Sequence, residues 1–276
     1  MKRIMLYLLL ALFLFGCGSS ATKPENPFRI AQSRTVMVDL NEISEIIYFY
    51  DEHGLLEKEE CISDGKLNCI CSYEYDEWGN VILEKWDYDD GSSSVAEHIL
   101  TFDENNRIVY RDTKENGEIK VQEEIEYDRH GNQTAIIGKT YIGKDFKIIE
   151  RTMRYDAMGN LLERVVQWHN DPSMGGTTTY QYDKGQLVRE EFYATAGWMK
   201  SYIVYSYDQS GLIQTAMEYN KNDSLQSKTI TTYDEYGNIL KQEYYSHTGK
   251  IPGSGDEIAD RITTCTYEEI GIESVN

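Results

Sequence analysis

One short signature governs this chain. An aromatic residue, an Asp, two variable residues and a Gly recur in register along it. The copies read Y-D-E-H-G-L at Tyr50, Y-D-E-W-G-N at Tyr75, F-D-E-N-N-R at Phe102, Y-D-R-H-G-N at Tyr127 and Y-D-A-M-G-N at Tyr155. They continue as Y-D-K-G-Q-L at Tyr182, Y-D-Q-S-G-L at Tyr207, Y-D-E-Y-G-N at Tyr233 and, more weakly, Y-E-E-I-G-I at Tyr267. Successive aromatics are 25, 27, 25, 28, 27, 25, 26 and 34 residues apart. A fixed period of this size means a stack of like units, each unable to bury its apolar face alone.

The turn chemistry explains the signature. Asp at the first position bonds its own backbone two residues on. Gly then supplies the left-handed conformation through which the chain re-enters an antiparallel strand. This assigns the turns to Asp51 and Gly54, Asp76 and Gly79, Asp128 and Gly131, Asp156 and Gly159, Asp208 and Gly211, and Asp234 and Gly237, with Asp103 and Asp183 in the two irregular copies. Asn after Gly serves the same turn. The aromatic before Asp packs across strands. Between turns the apolar residues alternate, as in Ile46, Tyr48 and Tyr50, and period two means strand rather than helix. A second turn falls midway through each unit, at Ser63, Asp89, Glu115, Thr195 and His247. Each unit is therefore two strands.

The expected fold is all-β, an antiparallel meander of roughly 18 strands. Twenty-two Tyr, 21 Gly and only four Pro agree with strands and turns. Laid flat at about 4.8 Å per strand, such a sheet would be nearly 90 Å wide. Sheets that wide curl, so the chain is expected to form a strongly twisted, partly closed sheet with Tyr, Leu and Val inside and charges outside.

The nine copies resemble the YD-repeat or RHS-repeat family of bacterial surface and toxin-shell proteins. The resemblance covers about residues 46–276. It implies a twisted sheet that spirals into a shell. Large members also carry a conserved core segment that closes the shell and a toxic C-terminal domain. Neither has a counterpart in this sequence, so the resemblance implies fold and surface location without toxin activity.

The first residues read as an address. Lys2 and Arg3 precede an apolar run from Ile4 to Phe15, too short for a membrane span and right for a signal peptide. It ends in L-F-G-C, which resembles the lipobox of bacterial lipoproteins and makes Cys17 the lipidated residue. The expected division is a signal peptide at 1–16, the lipidated Cys with a polar tether and a leading strand at 17–45, and the repeat domain at 46–276. Acyl chains hold a protein on a membrane without spanning it. Gly18 in place of Asp resembles outer-membrane sorting, on the periplasmic face or at the cell surface, if the host is Gram-negative.

Charge removes one class of partner. Against 27 basic residues stand 47 acidic ones, a net of -20, and so acidic a surface repels nucleic acid. Four cysteines remain beside Cys17: Cys61, Cys69, Cys71 and Cys265. An exported chain meets oxidising conditions, so all four are candidates for disulfides. Cys61 and Cys69 flank the S-D-G-K turn. Cys71 and Cys265 precede the turns of the second and ninth units, and a bridge between them would bring the ends of the sheet together. Free thiols are the alternative. Zinc on Cys61, Cys69 and Cys71 is disfavoured by the tight Cys69-Ile70-Cys71 spacing.

The repeated Asp residues could suggest calcium, but each turn offers one recurrent carboxylate where calcium takes six to eight oxygens. No metal and no cofactor are therefore expected. His53, His98, His130, His169 and His247 are scattered and read as exposed turn residues. Trp78, Trp86, Trp168 and Trp198 are candidate ligand contacts if they share a sugar platform, although cross-strand packing explains most aromatics. No catalytic or nucleotide-binding motif occurs.

The sequence thus reads as a non-enzymatic, lipid-anchored envelope protein. Its repeat sheet is expected to act as a binding or structural scaffold for an envelope protein or polysaccharide. Two further readings are a carbohydrate-binding surface module and an accessory or immunity protein of an RHS-type toxin system, whose acidic surface would cap a basic partner.

Overall fold

A computed structural model describes residues 28–38, 40, 42–142, 145–246 and 259–269. The first strands are β1 (Phe28–Met37), β2 (Glu42–Tyr50), β3 (Leu56–Ser63), β4 (Lys66–Tyr75), β5 (Val81–Tyr88) and β6 (Ser93–Phe102). The middle of the chain forms β7 (Ile108–Glu115), β8 (Glu118–Tyr127), β9 (Gln133–Ile142), β10 (Asp145–Tyr155), β11 (Leu161–Trp168) and β12 (Gly176–Asp183). The last six are β13 (Gln186–Ala194), β14 (Met199–Tyr207), β15 (Ile213–Asn220), β16 (Leu225–Tyr233), β17 (Ile239–Ser246) and β18 (Arg261–Glu269). The one helical element among the described residues is a 3-10 turn, Pro172–Met174.

Each strand pairs antiparallel with the next, and β1 pairs with both β2 and β18. The 18 strands therefore form a closed up-and-down barrel. Closure goes further than the partly closed sheet expected from the repeats. The closing stave is β1, which carries no turn signature. At the seam Arg29 Nε meets Glu268 Oε1 at 2.7 Å, and Thr35 and Thr263 share a 2.9 Å hydroxyl contact. A circuit of opposed residues returns to β1 about 20 residues out of register, a stagger that tilts strands by roughly 40°. Eighteen strands at that tilt enclose a barrel roughly 30–35 Å across between backbones.

All the signature turns lie on one rim, here the YD rim. The midway turns lie on the other, the far rim. Each of the eight signature turns from Tyr50 to Tyr233 adjoins a register shift: Tyr50 opposes Leu56 while Phe49 opposes Lys58, and Tyr233 opposes Ile239 while Thr232 opposes Lys241. One residue is bulged out at every such corner, which adds twist and helps the sheet close.

The two faces of the wall differ. Tyr48, Glu59, Cys71 and Trp86 follow one another across β2 to β5 as opposed residues and share a face. This is the crowded face, where burial raises the pKa of Glu59, Cys71 and, farther round, Glu190. Crowding marks the concave side of a closed sheet, so it lines the lumen. The alternate face holds ion pairs along the strands that are half-buried, or exposed in the case of Lys85 and Asp87: Lys58 with Glu60, Lys85 with Asp87, Arg189 with Glu191, and Lys241 with Glu243. Cys71 is the only fully buried large side chain among the described residues. A filled barrel would bury most inward positions, so this one is hollow.

Candidate functional site

At the YD rim the Asp carboxylate is spent on the turn. Asp128 Oδ1 accepts from His130 N at 2.8 Å and Asn132 N at 3.0 Å, while Oδ2 accepts from Asn132 Nδ2 at 2.9 Å. The same set recurs at Asp76, Asp156 and Asp234, each with the Asn that follows Gly. At Asp103 the chelating group is Arg107, and at Asp51 and Asp208 only backbone donors serve. Against desolvation, the largest single effect at Asp76 and Asp234, these bonds together hold the Asp76, Asp103, Asp128, Asp156 and Asp234 carboxyls below the usual range. The glycines sit at positive φ, for example +90° at Gly131 and +87° at Gly159. No group of three or more potential metal ligands is assembled among the described residues.

The signature tyrosines tie one unit to the next. Tyr75 Oη donates to Leu56 O at 2.7 Å, Tyr127 to Ile108 O at 2.9 Å and Tyr233 to Ile213 O at 2.8 Å. Tyr207 reaches Leu187 O at 2.6 Å, and Tyr267 reaches Ile239 O at 2.9 Å. In each case the acceptor is the first or second residue of the strand that follows the preceding turn. Tyr50 makes the same bond to Ile30 O at 2.8 Å, so β1 joins the series across the seam.

The lumen is more polar than the sequence suggested. The expectation of Tyr, Leu and Val inside with charges outside is corrected by a belt of inward acids and bases. Tyr73 Oη donates to Glu59 Oε2 at 3.0 Å, and Tyr205 Oη donates to Glu190 Oε1 at 2.8 Å. Burial raises the pKa of both carboxyls despite these bonds. Arg111 pairs with Glu123, and Arg151 Nη1 lies 3.6 Å from the same carboxylate. Arg164 stands exposed on the wall, where its charge opposes the rise at Glu190. Arg107, Arg111, Glu123, Tyr127 and Ile136 border a recess of about 400 Å³. A wide lumen stays wet, so these charges keep water and avoid the cost of a dry interior.

His98 is likewise a lumen residue, not an exposed turn residue. Its Nε2 lies 3.1 Å from Glu84 Oε1 and its Nδ1 3.1 Å from Thr113 Oγ1, and the first contact lowers the Glu84 pKa. His53 and His130 occupy exposed turns, and His169 contacts Glu150 at the far rim. His247 lies outside the described residues, as does Cys17.

Cys61, Cys69, Cys71 and Cys265 are all free thiols. Cys61 and Cys69 oppose one another directly across β3 and β4. Cys265 opposes Ser33 on β1, which puts β1, β2 and β3 between it and Cys71. Four inter-strand steps of about 4.8 Å place their backbones well beyond the 7 Å limit for a disulfide. The ends of the sheet meet through β1 instead. Burial pushes the Cys61 and Cys71 thiols up to about 12, so neither is a thiolate nucleophile at neutral pH.

The four tryptophans do not form one platform. Trp78 is exposed in a YD-rim turn, with its ring 5.6 Å from that of Phe102. Trp86 opposes Cys71 on the wall, and Trp168 opposes Ile149 six strands farther along the chain. Trp198 is on the far rim, flanked by Lys200 and Lys221 at 5.8 and 5.7 Å from its ring.

Sequence reasoning missed Glu59, Glu190, Arg111 and His98 as inward residues. The turns carried the signal: a hairpin closed between Tyr50 and Leu56 places Glu59 opposite Tyr48, on the same face.

These features define a class: a hollow, closed, up-and-down antiparallel β-barrel with a charged, tyrosine-lined lumen. No family model and no curated protein matches the chain. Among solved structures it is similar to TcdB2-TccC3, with 15% sequence identity and a TM-score of 0.38 over 76% of this chain and 14% of that one. It is also similar to a porin-like protein from Bacteroides uniformis ATCC 8492, with 11% identity and a TM-score of 0.35 over 89% of this chain and 99% of that one. The chain thus spans about a seventh of the length of TcdB2-TccC3.

Proposed function

We propose that this protein is a non-enzymatic scaffold of the bacterial cell envelope, held on a membrane by lipid at Cys17, whose hollow barrel binds an envelope polysaccharide or protein. The observation that carries the reading is the lumen itself. It is wide, wet and lined by tyrosine hydroxyls, carboxyls and arginines, a surface suited to many weak polar contacts with an extended ligand. The Cys61 and Cys71 thiols are protonated, which counts against nucleophilic chemistry there.

The outer wall supports an anchor. A barrel that crosses a bilayer turns an apolar band outward. This one turns Lys58, Glu60, Arg189 and Glu191 outward at mid-strand. Charges there favour a wall that faces water, and a lipid on Cys17 would then hold the barrel at a membrane. β1 begins at the YD rim, so a tether from Cys17 would reach the barrel there.

Two experiments test the reading. The full chain expressed in bacteria should take up a labelled fatty acid, and Cys17→Ser should abolish the label. Envelope polysaccharides and proteins should be captured by the full chain and lost with Arg164→Glu or Tyr180→Ala, both in the lumen. Label on Cys17→Ser would end the anchoring claim. Capture unaffected by both lumen variants would end the lumen claim.

A further inference from the structure

The charges of the lumen are not spread evenly around it. Arg111, Arg151 and Arg164 all lie on the arc from β7 to β11. A row of opposed inward residues runs Arg111, Glu123, Gly138, Ile149 and Trp168. Arg151 and Arg164 stand two and four residues from that row, toward the YD rim. The stagger of the barrel, roughly one residue per strand, offsets that displacement over the intervening strands, so the three arginines share one level. Glu59, Glu84, Glu190 and Glu218 line other strands of the same lumen.

Within the arc one carboxylate serves two guanidiniums. Glu123 Oε2 accepts from Arg111 Nε at 3.1 Å and from Arg111 Nη2, and Arg151 Nη1 lies 3.6 Å from Glu123 Oε1. Gly138 makes room for this bridge. It separates Glu123 from Ile149, and the Glu123 side chain lies 3.7 Å from where a methyl on Gly138 would stand. The shared carboxylate is covered, at 13% exposed, while Arg111 and Arg151 are 43% and 37% exposed. Arg164 is exposed and makes no ion pair among the described residues. The arc therefore carries a surplus of positive charge, and the N–H groups that Glu123 does not take are open to the lumen. Lys147, inward on β10 with Nζ 5.2 Å from the Trp168 ring, adds to it.

We infer, resting on the lumen-binding reading and narrowing it to a ligand class, that this arc binds the carboxylates or sulfates of an acidic polysaccharide. A chain of net charge -20 repels polyanions in general, so an acidic ligand is favoured where basic groups are gathered on a wall, as they are here. A guanidinium presents parallel N–H groups that match a carboxylate or a sulfate. Glu123 holds two of them in place before any ligand arrives, which lowers the ordering cost of binding. The rings beside the arginines select a sugar. Trp168 lies on the inward face of β11 with Arg164, and Tyr180 lies two residues beyond Thr178, which opposes Arg164. Sugar rings have flat apolar faces that stack on such side chains. The recess of about 400 Å³ bordered by Arg111, Glu123 and Tyr127 has room for a sugar residue at the other end of the arc.

The test is calorimetric titration of the full chain, in a mild non-ionic detergent, with polygalacturonate, dextran sulfate, neutral dextran and polyglutamate. One or both of the acidic polysaccharides should bind more tightly than dextran, and which of them binds names the acidic group. The affinity should fall as salt rises. Arg164→Gln, which breaks no ion pair, should weaken binding about tenfold at an unchanged melting temperature, and Arg151→Gln with Arg164→Gln about a hundredfold. Arg154→Gln makes the same charge change on the outer wall, where Arg154 opposes Glu163 and is 62% exposed, and should leave binding intact. Acidic polysaccharides that bind no more tightly than dextran overturn the inference, as does an equal loss with Arg154→Gln. Polyglutamate bound as tightly, and lost with Arg164→Gln, also overturns it by making an acidic protein the occupant. If the acidic probes fail while a neutral polysaccharide is captured and lost with Tyr180→Ala, the lumen reading stands and the charge inference alone falls. If no capture depends on any lumen residue, both fall.

Discussion

The tyrosine series allows a sharp test of what holds neighbouring units together. Replacing Tyr75, Tyr127 and Tyr207 by Phe removes three hydroxyls and keeps three rings. Each hydroxyl donates a bond of 2.6–2.9 Å to a backbone carbonyl, on strands well separated round the barrel. A net hydrogen bond of this kind contributes about 1 kcal/mol, so the triple variant should lose about 3 kcal/mol if the sites add. For a chain of this size that is roughly 6–12 °C in melting temperature. Urea unfolding should show a lower midpoint at constant slope. The control is built in. Tyr155 and Tyr182 hold the same slot without such a bond among the described residues, and Phe102 holds it with no hydroxyl at all. Tyr155→Phe and Tyr182→Phe should each cost under about 0.5 kcal/mol. Phe102→Tyr, with the carbonyl of Val81 in the equivalent place, should gain about 0.5–1 kcal/mol. If the triple variant melts no lower than the control pair, the hydroxyls do not couple the units.

Three other outcomes are expected. Gly131 sits at φ +90° with nothing within 4 Å of where a methyl would stand, so Gly131→Ala should cost about 1–2 kcal/mol of backbone strain by thermal melting, and Gly138→Ala, at ordinary φ, should cost less. The lowered carboxyls of Asp76, Asp103, Asp128, Asp156 and Asp234 stabilise the fold fully above the unfolded carboxyl value of about 4, and lose that stability as pH falls through their lower folded values. Glu59 and Glu190 act in the opposite sense: their raised values favour the fold at low pH and count against it as pH rises, so Glu190→Gln should raise the melting temperature at pH 7 and have little effect near pH 4. Melting scans from pH 3 to 8 check both signs. With the Cys61 and Cys71 thiols near 12, iodoacetamide at pH 7.5 should label them far more slowly than a free cysteine, and urea should release the block; rapid labelling of the folded chain would contradict their burial.

Much of the fold was legible because its information is local. Asp128, Gly131 and Asn132 name a turn, and eight such turns at near-constant spacing dictate a meander. Closure was not legible, because β1 carries none of the signature and its partner β18 lies at the other end of the chain. Nor was the character of the lumen. Glu59 and Arg111 look like surface residues if a barrel is assumed to bury only apolar groups, and that assumption fails once 18 strands leave room for water.

The seam between β1 and β18 also sets an order of events. Arg29 meets Glu268 across 239 positions of chain, whereas most other pairings join adjacent hairpin arms. Hairpins can zip as they emerge, but the first strand has to wait for the last. A chain made N-terminus first therefore carries a bare strand edge through most of its synthesis, the condition under which edge-to-edge misassembly occurs. Once the ring shuts, no edge is left to fray from, and unfolding has to begin by breaking a ladder held on both sides. Slow opening and a need for protection before closure are two sides of the same joint.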